Sequence, residues 1–241
     1  MPTRIALCQT PDIREDVNRS LDWIEKFTSQ AETGGAALVC FPECFLQGYL
    51  TEKSAAEKYA IDLDSTEFEA ILERLSNFAP TIVFGMIEAE NGKLFNAAVV
   101  VRQGALTGKY RKTNLLKGES FFTAGSDHPV FEAGDLKFGI NICYDTQFAA
   151  NCAALAAQGA RAILCPSNNM MRRETAEKFK HLHHELRIER VRENKIWMLS
   201  SDVTGARDGR ISYGPTSAIN PDCRIVAQVP LMQTGMITVE I

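Results

Sequence analysis

The chain has 241 residues, 45% of them hydrophobic, with a formal net charge of −4 and 7 cysteines. That length carries a sizeable core in one large α/β unit, and the mildly acidic balance gives no reason to expect nucleic acid or an anionic membrane surface as a partner. An odd number of cysteines without a C-x-x-C pair is no disulfide framework, no apolar stretch approaches the ~20 residues of a membrane span, and the opening apolar run is too short for a signal peptide, so a cytoplasmic globular protein is expected.

Residues 5–8 read as a buried strand and 9–12 as a turn. Val17, Leu21, Ile24 and Phe27 recur at helical spacing, which predicts an amphipathic helix over 16–32, ended by Gly34-Gly35. Residues 37–41 are short and wholly apolar, the pattern of a strand covered on both faces, and they stop at Pro42-Glu43. A second helix is predicted over 66–78, and a hairpin of strands 81–87 and 94–101 turns at Asn91-Gly92. The basic stretch 108–115 reads as a loop. Strands over 129–132 and 136–142 follow, joined at Gly134-Asp135.

Next come Cys143 and two good capping residues, Asp145 and Thr146, then an Ala-rich helix over 148–158 closed by Gly159. Residues 162–165 form one more buried strand. A long charged helix over 174–193 turns Phe179, Leu182, Leu186 and Val191 inward, and strands over 196–200, 217–229 and 236–240 finish the chain. No linker or low-complexity tract interrupts this alternation, so residues 1–241 read as one domain of α/β layers, with a faint echo between Ala37-Leu38-Val39-Cys40-Phe41-Pro42 and Ala162-Ile163-Leu164-Cys165-Pro166.

Three polar groups end apolar strands or sit in irregular sequence: Glu43, Lys112 and Cys143. Ligands of open α/β sheets bind beyond the carboxyl ends of strands, which places Glu43 and Cys143 well to share a crevice. A thiol between a strand end and a helix N-terminus feels the positive end of the helix dipole and ionises more readily. A nearby carboxylate can take its proton, and an ammonium can steady an oxyanion. Taken singly, Cys143 reads as a core cysteine, Glu43 as a turn carboxylate and Lys112 as a surface lysine. His181, His183 and His184 suggest no metal site, because helical residues two apart face differently and no neighbouring donors complete a tetrahedron.

Phe41-Pro42-Glu43 with Gly48-Tyr49, then Tyr110-Arg111-Lys112-Thr113, then Ile142-Cys143-Tyr144-Asp145-Thr146-Gln147-Phe148 resemble, in order and spacing, the three signature blocks of the nitrilase superfamily of carbon–nitrogen hydrolases. Pro166-Ser167-Asn168, Arg192-Glu193-Asn194 and Gly214-Pro215-Thr216-Ser217 extend the likeness along most of the chain. The resemblance implies a four-layer α-β-β-α sandwich whose protomers pair through outer helices as a homodimer or higher homo-oligomer. It also implies a Glu43-Lys112-Cys143 triad and a second glutamate, here Glu119 ahead of Phe121-Phe122-Thr123-Ala124-Gly125. Two positions depart from the pattern: Asn114 stands where the family usually has His, and Ala149-Ala150 stand where it usually has Pro-Glu or Pro-Arg.

The activity so implied is amide hydrolysis through a Cys143 thioester, with no metal or organic cofactor, on a small-molecule amide that releases ammonia or an amine. Lys112 and the Tyr144 backbone N–H are expected to hold the oxyanion. Asn168 and Asn169, at a strand end, and Arg172 and Arg173, one of which would pair with a substrate carboxylate as in relatives that cleave N-carbamoyl amino acids, are the expected substrate contacts. Alternatives are an N-carbamoyl hydrolase, a nitrilase (disfavoured by Tyr144-Asp145, where nitrilases tend to have Trp-Glu) and a catalytically silent relative that binds a metabolite or partner protein.

Overall fold

The computed structural model describes residues 2–241. In chain order the first half comprises β1 (Arg4–Pro11), α1 (Val17–Thr33), β2 (Leu38–Cys40), α2 (Lys53–Tyr59), β3 (Ile61–Asp62), α3 (Thr66–Arg74), β4 (Thr81–Glu90), β5 (Lys93–Arg102) and β6 (Ala105–Arg111). The second half comprises β7 (Val130–Ala133), β8 (Leu136–Ile140), α4 (Ala149–Ala157), β9 (Ala162–Pro166), β10 (Met171–Arg172), α5 (Arg173–Asn194), β11 (Trp197–Arg207), β12 (Arg210–Ser212), β13 (Ser217–Ile219), β14 (Ile225–Gln228) and β15 (Gly235–Glu240).

Two sheets result. The first runs β6-β5-β4-β2-β1 and ends on β15, which lies antiparallel to β1. The second runs β7-β8-β9-β11, continuing through β13 to β14. They join where the end of β1 pairs in parallel with β11, Gln9 opposite Asp202 and Pro11 opposite Thr204. Each sheet contains a parallel β-α-β crossover, β1-α1-β2 and β8-α4-β9, which accounts for the sequence echo.

Alternation along the strands builds the layers. In β1, Ile5 and Leu7 face inward and meet Phe138, Ile140 and Leu164 of the opposite sheet, whereas Ala6 and Cys8 face outward and meet Leu21, Ile24 and Phe27 of α1. Phe68 and Ile71 of α3 complete that outer layer. On the far side, Leu155 of α4 and Val191 of α5 pack on Ile163, Cys165 and Met198. The architecture is a four-layer α-β-β-α sandwich.

Several elements differ from expectation for identifiable reasons. The stretch expected to be a basic loop is strand up to Arg111, because buried Glu88 accepts Lys109 at 2.5 Å and a two-pronged bond from Arg111 at 2.7 and 2.6 Å, and with Glu90, which pairs with both, it neutralises the two cations. β1 extends through Pro11 and β11 through Arg207 because these polar ends pair with each other and with β12. α3 stops at Arg74, and the seven-residue α2 lacks the length that makes periodicity readable. Cys143 does not adjoin an α-helix: residues Cys143–Gln147 form a 3-10 turn, and α4 begins at Ala149 behind Phe148, which provides no side-chain cap. Asp145 caps the 3-10 turn instead.

Candidate active site

Glu43 lies in the loop after β2, where it meets the loop after β9 of the other sheet: its N–H donates to the Ser167 carbonyl at 3.3 Å. Gly85 of β4 brings the Glu43 loop close. A Cβ there would stand 2.3 Å from the Cys44 nitrogen and 2.7 Å from the Glu43 carbonyl carbon, and the Gly85 N–H donates to the Pro42 carbonyl at 3.0 Å. Only a residue without a side chain allows that approach. The Glu43 carboxylate accepts Lys112 Nζ at 2.7 Å and Asn96 Nδ2 at 2.8 Å on Oε1, and the Asn168 backbone N–H at 3.0 Å on Oε2.

Lys112, the residue after β6, also donates to Glu119 Oε1 at 2.8 Å. Glu119 further accepts Tyr49 Oη at 2.8 Å, Asn96 Nδ2 at 3.2 Å and, through Oε2, the Leu116 backbone N–H at 2.7 Å. Glu43, Lys112 and Glu119 are each 1% exposed, so one ammonium and two carboxylates share a dry site. Burial alone would lower the Lys112 pKa, but the two carboxylates and the nearby thiol outweigh it and hold the pKa well above its usual value. For Glu43 burial raises the pKa, Lys112 opposes this, and Glu119 adds to it. Glu43 is therefore poised to accept a proton.

Cys143 has φ +46°, in the left-handed region. Such backbone strain costs on the order of 1–3 kcal/mol and persists only where surroundings impose it. Here Asp145 imposes it. Its Oδ2 accepts the Ile142 N–H at 3.0 Å and Tyr110 Oη at 2.7 Å, and its Oδ1 accepts the Asn114 N–H at 2.8 Å, Asn114 Nδ2 at 3.1 Å and Thr113 Oγ1 at 3.1 Å. One carboxylate thereby ties the Lys112 loop to the Cys143 turn, and Asn114, the departure from the family pattern, serves that tie. The thiol is not pre-ionised by a helix dipole, contrary to expectation. Burial pushes its pKa up, the Glu43 charge adds to this, and Lys112 opposes both.

Tyr144 and Asn169 line a cavity of about 360 Å³ with Cys143. Asp202 of β11, fully buried, accepts the Asn169 N–H at 3.1 Å and also its side-chain Nδ2. With the amide NH₂ committed to Asp202, Asn169 turns Oδ1 toward Cys143 Sγ, 3.9 Å away. Burial raises the Asp202 pKa to about 6, against the lowering effects of Arg187 and the Asn169 bonds.

The structure brings Glu43, Lys112 and Glu119 into one buried cluster whose charges act on Cys143, and Cys143 lines the cavity with Tyr144 and Asn169. Asn168 contributes its backbone N–H, while its side chain turns to Asp12 at 3.5 Å. Arg172 and Arg173 are exposed and do not line the cavity; Arg172 sits opposite Arg210 in the β10–β12 ladder. The cavity arginine is Arg187 instead. Sequence reasoning missed it, along with Asp202 and Asn96. The polar run Ser200-Ser201-Asp202 beyond an apolar strand was the available signal for Asp202.

Residues 4–241 match the family described as carbon-nitrogen hydrolase. The chain is 31% identical over 208 residues to a nitrilase of Pyrococcus abyssi, covering 84% of this chain and 76% of that protein. It is 27% identical to an (R)-stereoselective amidase of Pseudomonas sp., covering 80% of this chain and 69% of the relative. Saccharomyces cerevisiae Nit3, a member of branch 10 of the nitrilase superfamily, superposes with a TM-score of 0.85 at 23% identity, covering 99% of this chain and 89% of that one.

Proposed function

The chain belongs to the carbon–nitrogen hydrolase family, and from that premise we propose that it hydrolyses the amide C–N bond of a small molecule through a thioester on Cys143, releasing ammonia or an amine. The observation that carries this reading is the buried Glu43-Lys112-Glu119 cluster, whose charges act on a thiol at the wall of a cavity.

The thiol is protonated at rest, so attack and proton transfer go together. As the Sγ–C bond forms, Glu43 takes the thiol proton. Lys112 and the Tyr144 N–H donate to the oxyanion, and one such donor is worth roughly 3 kcal/mol of barrier. Glu43 then passes its proton to the departing nitrogen as the C–N bond breaks. Water then gives a proton to Glu43 as its oxygen bonds to the thioester carbon, the C–S bond breaks to release the carboxylic acid, and the proton returns to sulfur. Glu119 holds Lys112 in place throughout, and Asn169 Oδ1 accepts an N–H of the amide that is cleaved.

That acceptor supports an amide over a nitrile, which has no N–H to offer. The test is ammonia release from a panel of short-chain amides, N-carbamoyl amino acids and nitriles. Amides are expected to turn over, and Cys143→Ala is expected to lower the rate by at least about 10⁴-fold while the melting temperature is retained. Undiminished hydrolysis by that variant contradicts the reading.

A further inference from the structure

Arg187 is the one side chain lining the cavity that carries a full charge at neutral pH, because His183 beside it is held neutral: burial and the Arg187 charge lower its pKa to about 3. Arg187 is 3% exposed. Its guanidinium donates to Ser200 Oγ and the Pro215 carbonyl at 3.0 Å each and to Ser167 Oγ at 3.2 Å, all neutral acceptors. Three of its five donors are thus used and two remain. Among the described residues, no carboxylate stands within ion-pair distance of it. Arg190, one turn along α5, differs in that it meets Glu189 at 2.9 Å and Glu193 at 3.0 Å. The buried carboxylate that feels the Arg187 charge, Asp202, is engaged by Asn169, and a planar guanidinium with free donors matches a carboxylate in two-pronged geometry.

We propose that Arg187 is the anchor for a carboxylate on the substrate, so that the cavity takes short amides that carry an acid group at the end opposite the scissile bond. The proposal rests on Cys143 being the amide-cleaving nucleophile, since Arg187 and Cys143 line the same small cavity and one molecule spans them. It moves the expected anion contact from Arg172 and Arg173, at the surface, to a residue inside the site.

The experiment compares succinamate with its neutral isostere 4-methylpentanamide on the intact protein. The acid is expected to have the higher kcat/KM by on the order of tenfold to a hundredfold, the span of a hydrogen bond to a charged group. Arg187→Gln is expected to erase that ratio mainly through KM for the acid, and Arg187→Lys, which keeps the charge, to restore part of it. Equal kcat/KM for the two amides in the wild-type protein overturns the proposal and leaves the amidase reading standing. If neither amide is hydrolysed, the amidase reading fails, and calorimetry with succinate decides the anion site separately. Binding that Arg187→Gln abolishes supports the site, and no binding to the wild-type protein overturns it. If Arg187→Gln unfolds, the wild-type ratio and Arg187→Lys carry the test.

Discussion

The sheet that contains β2 and β6 delivers Glu43 and Lys112 to a buried cluster with Glu119, whereas the sheet that contains β8, β9 and β11 delivers Cys143, Asn169 and Asp202. The two contributions are built differently. In the first, all four carboxylate oxygens of Glu43 and Glu119 accept hydrogen bonds, and Lys112 lies between them. That cluster is saturated and buried, suited to moving one proton without rearranging. In the second, Cys143 and Asn169 turn reactive or hydrogen-bonding atoms toward the cavity. Asp202 is spent on fixing Asn169. In the proposed mechanism one sheet supplies proton transfer, and the other supplies the bond-forming atom and substrate recognition.

Breaking the first side has the larger expected effect. Glu43→Gln keeps the shape but cannot accept the thiol proton, so kcat is expected to fall by about 10²–10⁴-fold, with KM little changed. A steady-state comparison checks this, and a fall confined to KM would move Glu43 from proton transfer to binding. Gly85→Ala acts on the same side from outside the chemistry. Its methyl collides with the backbone at Cys44 and Glu43, and a displacement approaching 1 Å is expected to lower kcat by about 10²-fold. If the rate is unchanged while the variant remains folded, the close approach does not position Glu43.

The second side is expected to be more tolerant. Asp202→Asn loosens Asn169 rather than removing a reacting group, and a drop of about tenfold in kcat/KM for amides is expected, the scale of one hydrogen bond to a charged group. The variant also tests a pH dependence. Asp202 has its pKa raised to about 6, so as pH falls through that value its carboxylate is protonated and stops accepting both Asn169 bonds. Activity in the wild-type protein should therefore decline below about pH 6, and the component due to Asp202 should be missing from the Asp202→Asn profile. An identical acid limb in both proteins assigns it to another group. Smallest of all, Arg173→Gln is expected to change kcat/KM by less than about twofold for any amide, because an exposed side chain outside the cavity has nothing to hold there.

The readable parts of this molecule share a physical origin. Apolar runs such as Leu38–Cys40 and Ala162–Pro166 mark strands buried on both faces, and a charged residue just beyond such a run has little choice but to face a crevice, which made Glu43 visible. The strand Ala105–Arg111 was not legible because its cations are neutralised by Glu88 and Glu90, residues of β4 distant in sequence. Arg187 was hidden for a similar reason. It lies in a helix whose charged residues suggest a solvated surface, and only the tertiary fold reveals that Ala176, Arg187, Arg190 and Val191 form its buried face. Asp202 lay past the point where apolar patterning ended the strand, and its partner Asn169 is 33 residues away. Cys143 was legible as a position but not in its state, since burial and the Glu43 charge, both products of the fold, keep the thiol protonated.

Acid quenching during turnover of an amide, followed by peptide mass mapping, tests the thioester directly. An acyl group, the substrate minus its amine or ammonia, is expected on the peptide that contains Cys143 and is expected to disappear in Cys143→Ala. Turnover with no acyl group on any cysteine, or with the acyl group on another residue, would contradict it.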